Sequence, residues 1–116
     1  MSHITKASTK VSFKNEDTLK KALEMLGGEL KIGNRDGYKT YSVPIISGRM
    51  LEFRFNGEVF EGYSDKWGIE EKQKELIEKI EGNYVATVAS KWLTANRYSS
   101  SVTVENGRVL VAGRKY

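Results

Sequence analysis

Apolar residues recur along this chain with two different periods, and the switches between them mark the elements. Lys10–Phe13 reads as a first strand. Asn15, followed by Glu16 and Asp17, has the form of a helix start, because a short polar side chain can cap the free amides and acids suit the first turn. Leu19, Ala22, Leu23 and Leu26 follow at helical spacing, and Gly27-Gly28 ends the helix. Alternation with period two then predicts strands over Glu29–Ile32, Tyr38–Ile46, Arg49–Phe55 and Glu58–Ser64. The turns between them are Gly33–Gly37, Ser47-Gly48 and Asn56-Gly57, and Pro44 marks an edge or a bulge because it cannot donate to a ladder. Ile69, Leu76, Ile77 and Ile80 return to helical spacing, and beyond Gly82-Asn83 the residues Tyr84, Val88, Trp92 and Ala95 continue it. Residues 69–96 are therefore two helices or one kinked helix, with Trp67 and Trp92 expected in the core. A last hairpin, Tyr98–Glu105 with Arg108–Lys115, turns on Asn106-Gly107.

The resulting order is β-α-β-β-β-β-α-α-β-β over one domain, residues 1–116. Hairpin connections imply antiparallel pairing, so the expected class is α+β: a mainly antiparallel sheet of about five or six strands with helices on one face.

Turn chemistry also sets registers. A two-residue Asn106-Gly107 loop places Ser99 opposite Arg114, Ser101 opposite Ala112, Val102 opposite Val111, Val104 opposite Val109 and Glu105 opposite Arg108. A two-residue Asn56-Gly57 loop places Phe53 opposite Phe60 and Glu52 opposite Glu61. A strict Ser47-Gly48 turn sends Tyr41, Val43 and Ile45 to the face opposite Leu51, Phe53 and Phe55; a bulge there aligns the two triplets. The strict turn, slightly preferred, creates a second apolar face of Tyr41, Val43, Ile45, Met50, Val59 and Tyr63, with Tyr41, Val43, Ile45 and Tyr63 as the interface to a second copy of the chain, a homodimer.

Composition narrows the chemistry. Hydrophobic residues make up 39% and charged residues 29%, a globular balance and not a disordered one. No apolar run spans a bilayer and the N-terminus has no signal region, so no membrane is involved and the cytoplasm is the expected location. The absence of cysteine removes disulfides and thiolate chemistry, and His3 is the single histidine, which leaves few metal ligands. The formal charge of +4 resides in the last third: from Asn83 onward, Lys91, Arg97, Arg108, Arg114 and Lys115 face the single acid Glu105. An anionic partner is the expectation.

Several pieces of the chain resemble one known family. They are the opening Met1-Ser2-His3, Arg35-Asp36-Gly37-Tyr38, Phe53-Arg54-Phe55-Asn56, Tyr63 through Trp67-Gly68, Asn83-Tyr84, and the closing Arg114-Lys115-Tyr116. In this order they are similar to the family known as hypothetical chloroplast reading frame thirty-five, found in red-algal plastids, cyanobacteria, other bacteria and bacteriophages. The chain departs from that pattern at Lys66, Arg97-Tyr98 and Tyr116. The resemblance implies a shared fold and brings no activity, cofactor or catalytic residue with it.

The candidate ligand site is the last hairpin. Ser99 and Ser101 supply hydroxyl donors, Arg114 a guanidinium fork, and Arg97, Tyr98 and Lys115 lie at the paired ends, with Arg35 as an outlying arm. Hydroxyls, cations and a stacking ring suit a phosphate-bearing ligand. That ligand is either a nucleotide-like small molecule (a host signalling nucleotide, if the chain is phage-encoded) or single-stranded nucleic acid. The function expected is therefore non-catalytic binding, with no cofactor. Two alternatives stand beside it: a protein adaptor or assembly factor docking through the apolar strand face, and a metal-dependent enzyme using Glu52 and Glu61.

Overall fold

Four hairpin-linked strands form the centre of the protein, and the residues of their turns decide how they pair. A computed structural model describes residues 4–95, 98–105 and 108–115, with side chains over 4–95. The elements are β1 (Thr5–Lys6), α1 (Glu16–Glu24), β2 (Lys31–Arg35), β3 (Tyr38–Ile46), β4 (Arg49–Phe55), β5 (Phe60–Ser64), α2 (Glu70–Ala95), β6 (Tyr98–Glu105) and β7 (Arg108–Lys115). The first five strands make one antiparallel sheet in the order β1-β5-β4-β3-β2, and β6 pairs with β7 in a separate ribbon. The class is α+β, with two helices packed against the five-stranded sheet.

Three turns differ from the sequence expectation. β2 continues through the expected Gly33–Gly37 turn to Arg35, and only Asp36-Gly37 makes the reversal. Both residues have positive φ, 52° and 84°, the two-residue geometry that follows strand twist. β4 and β5 are joined by four residues and not two: Asn56 N donates to Val59 O at 3.0 Å, while Asn56 Oδ1 accepts from Glu58 N and Val59 N at 2.9 Å each. The asparagine side chain thus takes up the amides that a tighter turn would have used. The register slides by two residues, so Phe55 faces Phe60, Arg54 faces Glu61, and Glu52 faces Tyr63. Glu52 therefore does not oppose Glu61.

The third correction concerns the apolar triplets. Between Pro44 and Ile46 the β3–β4 register shifts, with Pro44 opposite Met50 and Ile46 opposite Arg49. This bulge puts Tyr41 opposite Phe53 and Val43 opposite Leu51, all four on the helix-covered face and at most 2% exposed. Ile45 packs against the same core. The second apolar face expected for a dimer does not form: Tyr41, Val43 and Ile45 pack on the core, which leaves Tyr63 and Met50 on the other side of the sheet.

α1 forms as its sequence dictates, with Asn15 Oδ1 accepting from Thr18 N at 2.9 Å and Leu19, Ala22 and Leu23 buried. α2 is one helix of 26 residues, roughly 39 Å long at 1.5 Å per residue. Gly82-Asn83 does not break it because that polar run is buried with its bonds made. Asn83 Nδ2 donates to Ala22 O at 3.1 Å, and Thr87 Oγ1 donates to Asn83 O at 2.9 Å. Trp67 and Trp92 are not core residues: they are 75% and 59% exposed. Among the described residues, no helix is long and apolar enough to cross a membrane.

The N-terminal segment is also placed differently. Only Thr5–Lys6 pairs with β5, and Phe13 rejoins it through a single bridge to Phe60. The expected strand Lys10–Phe13 is pulled off the ladder by α2: the buried Glu81 carboxylate accepts from Lys10 N at 2.5 Å and Val11 N at 2.9 Å. Tyr84 accepts from Asn15 N through its hydroxyl at 3.1 Å and packs its ring on Phe13, centroids 5.1 Å apart.

Two outcomes follow from this packing. Glu81→Ala strands two amides, and urea unfolding is expected to show a loss of about 1–3 kcal/mol with faster hydrogen exchange at Lys10 and Val11. Tyr41→Glu places an unpaired charge in the core and is expected to cost about 3–5 kcal/mol in the same assay. A folded, merely monomeric Tyr41→Glu protein would restore the dimer-face reading.

Candidate anion-binding face of the sheet

Because both helices occupy one side of the five-stranded sheet, the other side is left without a covering layer among the described elements. Strand alternation and the observed registers assign its residues: Lys6 on β1, Lys31 and Arg35 on β2, Thr40 and Ser42 on β3, Glu52 and Arg54 on β4, Glu61 and Tyr63 on β5. These are polar or carry a polar tip, while Pro44 and Met50, opposite each other near the Ser47-Gly48 turn, and Ile4 are apolar residues on the same side.

Charges on the face are paired in a way that fixes side chains. Glu52 Oε1 accepts from Arg54 Nε at 2.5 Å and forms an ion pair with Arg35, whose Nε lies 3.3 Å away. Both guanidinium groups use Nε for this contact, which does not require their Nη nitrogens; a guanidinium carries five donors in all. The Arg54 guanidinium carbon lies 4.3 Å from the centroid of the Tyr63 ring, a cation–π contact that presents both planes at one place. At the next position Lys6 Nζ sits 3.0 Å from Glu61 Oε2, and Tyr63 donates its hydroxyl toward Glu61 Oε1 at 3.5 Å. The hydrogen bond from Lys6 holds the Glu61 carboxyl below its ordinary pKa, and Glu61 in turn raises that of Lys6. As pH falls through the lowered Glu61 pKa, this pair is lost and the face becomes more positive.

A shallow recess of about 590 Å³ runs over this face, lined among others by Lys31, Arg35, Ser42, Arg49, Arg54 and Tyr63. A second recess of about 290 Å³ shares Arg35, Arg54 and Tyr63 with it and extends to Tyr38, Asn56 and Glu61. Across the two recesses the cations are Lys31, Arg35, Arg49 and Arg54, set against Asp36, Glu52, Glu61 and Asp65, and Lys6 adjoins them through Glu61. At the end nearest α2, the Arg49 guanidinium donates to the Trp67 carbonyl, and the Trp67 indole is the most exposed large apolar side chain described.

Of the residues expected at the site, Arg35 is on this face. The ribbon residues have the expected register, Ser99 with Arg114 and Ser101 with Ala112. Alternation separates them from Tyr98 and Lys115, which pair with each other at positions of the Val102–Val111 parity. Arg97 lies outside the described residues, as do the side chains of the ribbon. The carboxylate pair proposed for a metal is undone: Glu52 is held by two arginines and Glu61 by Lys6. Among the described residues no group of three histidine or carboxylate side chains could hold a metal ion. Arg54 with Tyr63 was missed because their adjacency depends on the β4–β5 register, which the four-residue loop shifts.

Comparisons with protein-family models, with curated proteins and with solved structures gave no match, so the reading of this face rests on its own geometry and chemistry.

Proposed function

We propose that the chain is a non-catalytic cytoplasmic binding protein whose uncovered sheet face takes single-stranded nucleic acid. The observation that carries this reading is the juxtaposition of Arg35, Arg54 and the Tyr63 ring on a sheet face that no described element covers. Guanidinium groups suit phosphate oxygens through charge and a planar fork. An aromatic ring beside them offers a surface on which any base can stack. The exposed Trp67 indole adds a second aromatic surface at the rim.

The shape of the face favours one of the two phosphate-bearing ligands. A free nucleotide held as a sequestered signal needs a recess that encloses most of its surface. Here the recesses are shallow and run into one another across the strands through Arg35, Arg54 and Tyr63. A track of this kind fits a polymer, whose successive phosphates and bases each meet one cation or ring. We also read the chain as a member of the chloroplast reading frame thirty-five family, on the ordered residue pieces quoted above; the nucleic-acid reading does not draw on that membership.

Titration of the full chain with short single-stranded DNA and RNA, followed by tryptophan fluorescence or anisotropy, tests the proposal. Binding is expected to weaken steeply with salt, since phosphate contacts release counterions. Arg54→Ala combined with Tyr63→Ala is expected to lower affinity about tenfold or more, the loss of one stacking ring and one charged contact. Binding that ignores salt, or that the double variant leaves unchanged, would refute it.

A further inference from the structure

Where β1 should continue along β5, the chain leaves the sheet. Ala7 N donates to Gly62 O at 2.7 Å and Phe60 N donates to Phe13 O at 2.8 Å. Between these two ties β5 has one residue, Glu61, whereas the N-terminal segment has five, Ser8 to Ser12. An excursion of that size in an edge strand is ordinarily slack, because each ordered residue costs about 1–2 kcal/mol of backbone entropy. Here it is fixed from behind by the buried Glu81 carboxylate, which accepts the amides of Lys10 and Val11.

The five residues are Ser8, Thr9, Lys10, Val11 and Ser12, and all but Val11 are exposed. Between them and the start of β5 lies a recess of about 310 Å³, to which Lys6, Ser8, Thr9, Lys10 and Ser12 contribute. Its lining thus offers three hydroxyl-bearing residues and two lysines. This donor set suits a tetrahedral oxyanion: hydroxyls and ammonium groups can all donate, and Lys10 supplies the positive charge that Glu61 does not offset. The carboxylate of Glu61 also lines the recess, and the Lys6 ammonium 3.0 Å away neutralises it.

Glu61 also lines the recess that holds Arg35, Arg54 and Tyr63, so the two recesses lie on either side of that residue. We infer that the pinned Ser8–Ser12 excursion is a phosphate-binding subsite at the β1 edge of the sheet, contiguous with the nucleic-acid face. The inference rests on the nucleic-acid reading for the identity of the phosphate's carrier, and on the excursion alone for the binding of phosphate. In that arrangement Arg54 and Tyr63 meet the body of the strand and the excursion holds one of its phosphates, an internal diester or a terminal monoester.

Two titrations of the same isotope-labelled full chain separate the possibilities. Inorganic phosphate, added against sodium chloride at matched ionic strength, is expected to shift the amides of Ser8, Thr9 and Ser12 in a saturable way at millimolar concentration, a range of about 1–10 mM for a small anion. Lys10→Ala with Ser12→Ala, both exposed positions, is expected to weaken that binding about tenfold or more while leaving the rest of the spectrum in place. Short oligonucleotides with and without a terminal phosphate then identify the carrier: a preference for the phosphorylated ends assigns a monoester, and equal binding assigns a diester. Shifts that chloride reproduces, that do not saturate, or that appear elsewhere would overturn the subsite. Saturable phosphate binding without any oligonucleotide binding would instead overturn the nucleic-acid reading and leave the subsite standing.

Discussion

One extra residue in β3 decides which side of the sheet this protein offers to its surroundings. Without the irregularity between Pro44 and Ile46, the apolar positions of β3 and β4 would fall on opposite faces, and each face would need a cover. With it, Tyr41 and Val43 join Leu51 and Phe53 beneath the helices at no more than 2% exposure. The opposite face is then free to be mainly polar, with Pro44 and Met50 as its apolar pair. The proline supports this arrangement, because its missing amide donor is tolerated at a ladder irregularity and would be a defect in a regular central strand.

The helices complete the same division. α1 and α2 lie on the apolar face, and α2 ties the N-terminal half together from the middle of its length. Glu81, Asn83 and Tyr84 hold, in turn, the amides of Lys10 and Val11, the carbonyl of Ala22 and the amide of Asn15. Buried polar groups of this kind are costly unless every one is bonded. Here their bonds go to backbone atoms distant in sequence, which specifies where the chain before β2 must lie. The excursion of residues 8–12 is a consequence of that specification and not an independent feature.

Much of the fold was legible in the chain. The α1 cap, the hairpin order and the register of the final ribbon follow from local residue chemistry: Asn15 before two acids, and Asn-Gly turns between alternating runs. Three features were not legible, one because a local side chain competes with the tighter turn and two because they depend on atoms far apart. Asn56 folds its side chain onto its own loop and lengthens it, which moved Arg54 opposite Glu61 and Tyr63 opposite Glu52. Gly82-Asn83 resembles a helix break until Ala22 supplies the acceptor for the asparagine amide. Lys10–Phe13 alternates like a strand, yet a carboxylate seventy positions away takes two of its amides. The candidate site was therefore only partly visible: Arg35 was found, and its association with Arg54 and Tyr63 required the corrected register.

The polar face also holds its charged side chains in place through its own contacts. Glu52 anchors two guanidinium groups by their Nε atoms, and Tyr63 supports one of them from its ring face. Preordering of this kind reduces the conformational cost of binding. The most direct measurement of the central claim is a map of backbone amide shifts on adding an unlabelled single-stranded oligonucleotide. The account predicts perturbations confined to β2, β4 and β5 around Arg35, Arg54 and Tyr63, reaching the N-terminal excursion. Perturbations centred on α2 or on the β6–β7 ribbon, with the sheet residues unmoved, would contradict it.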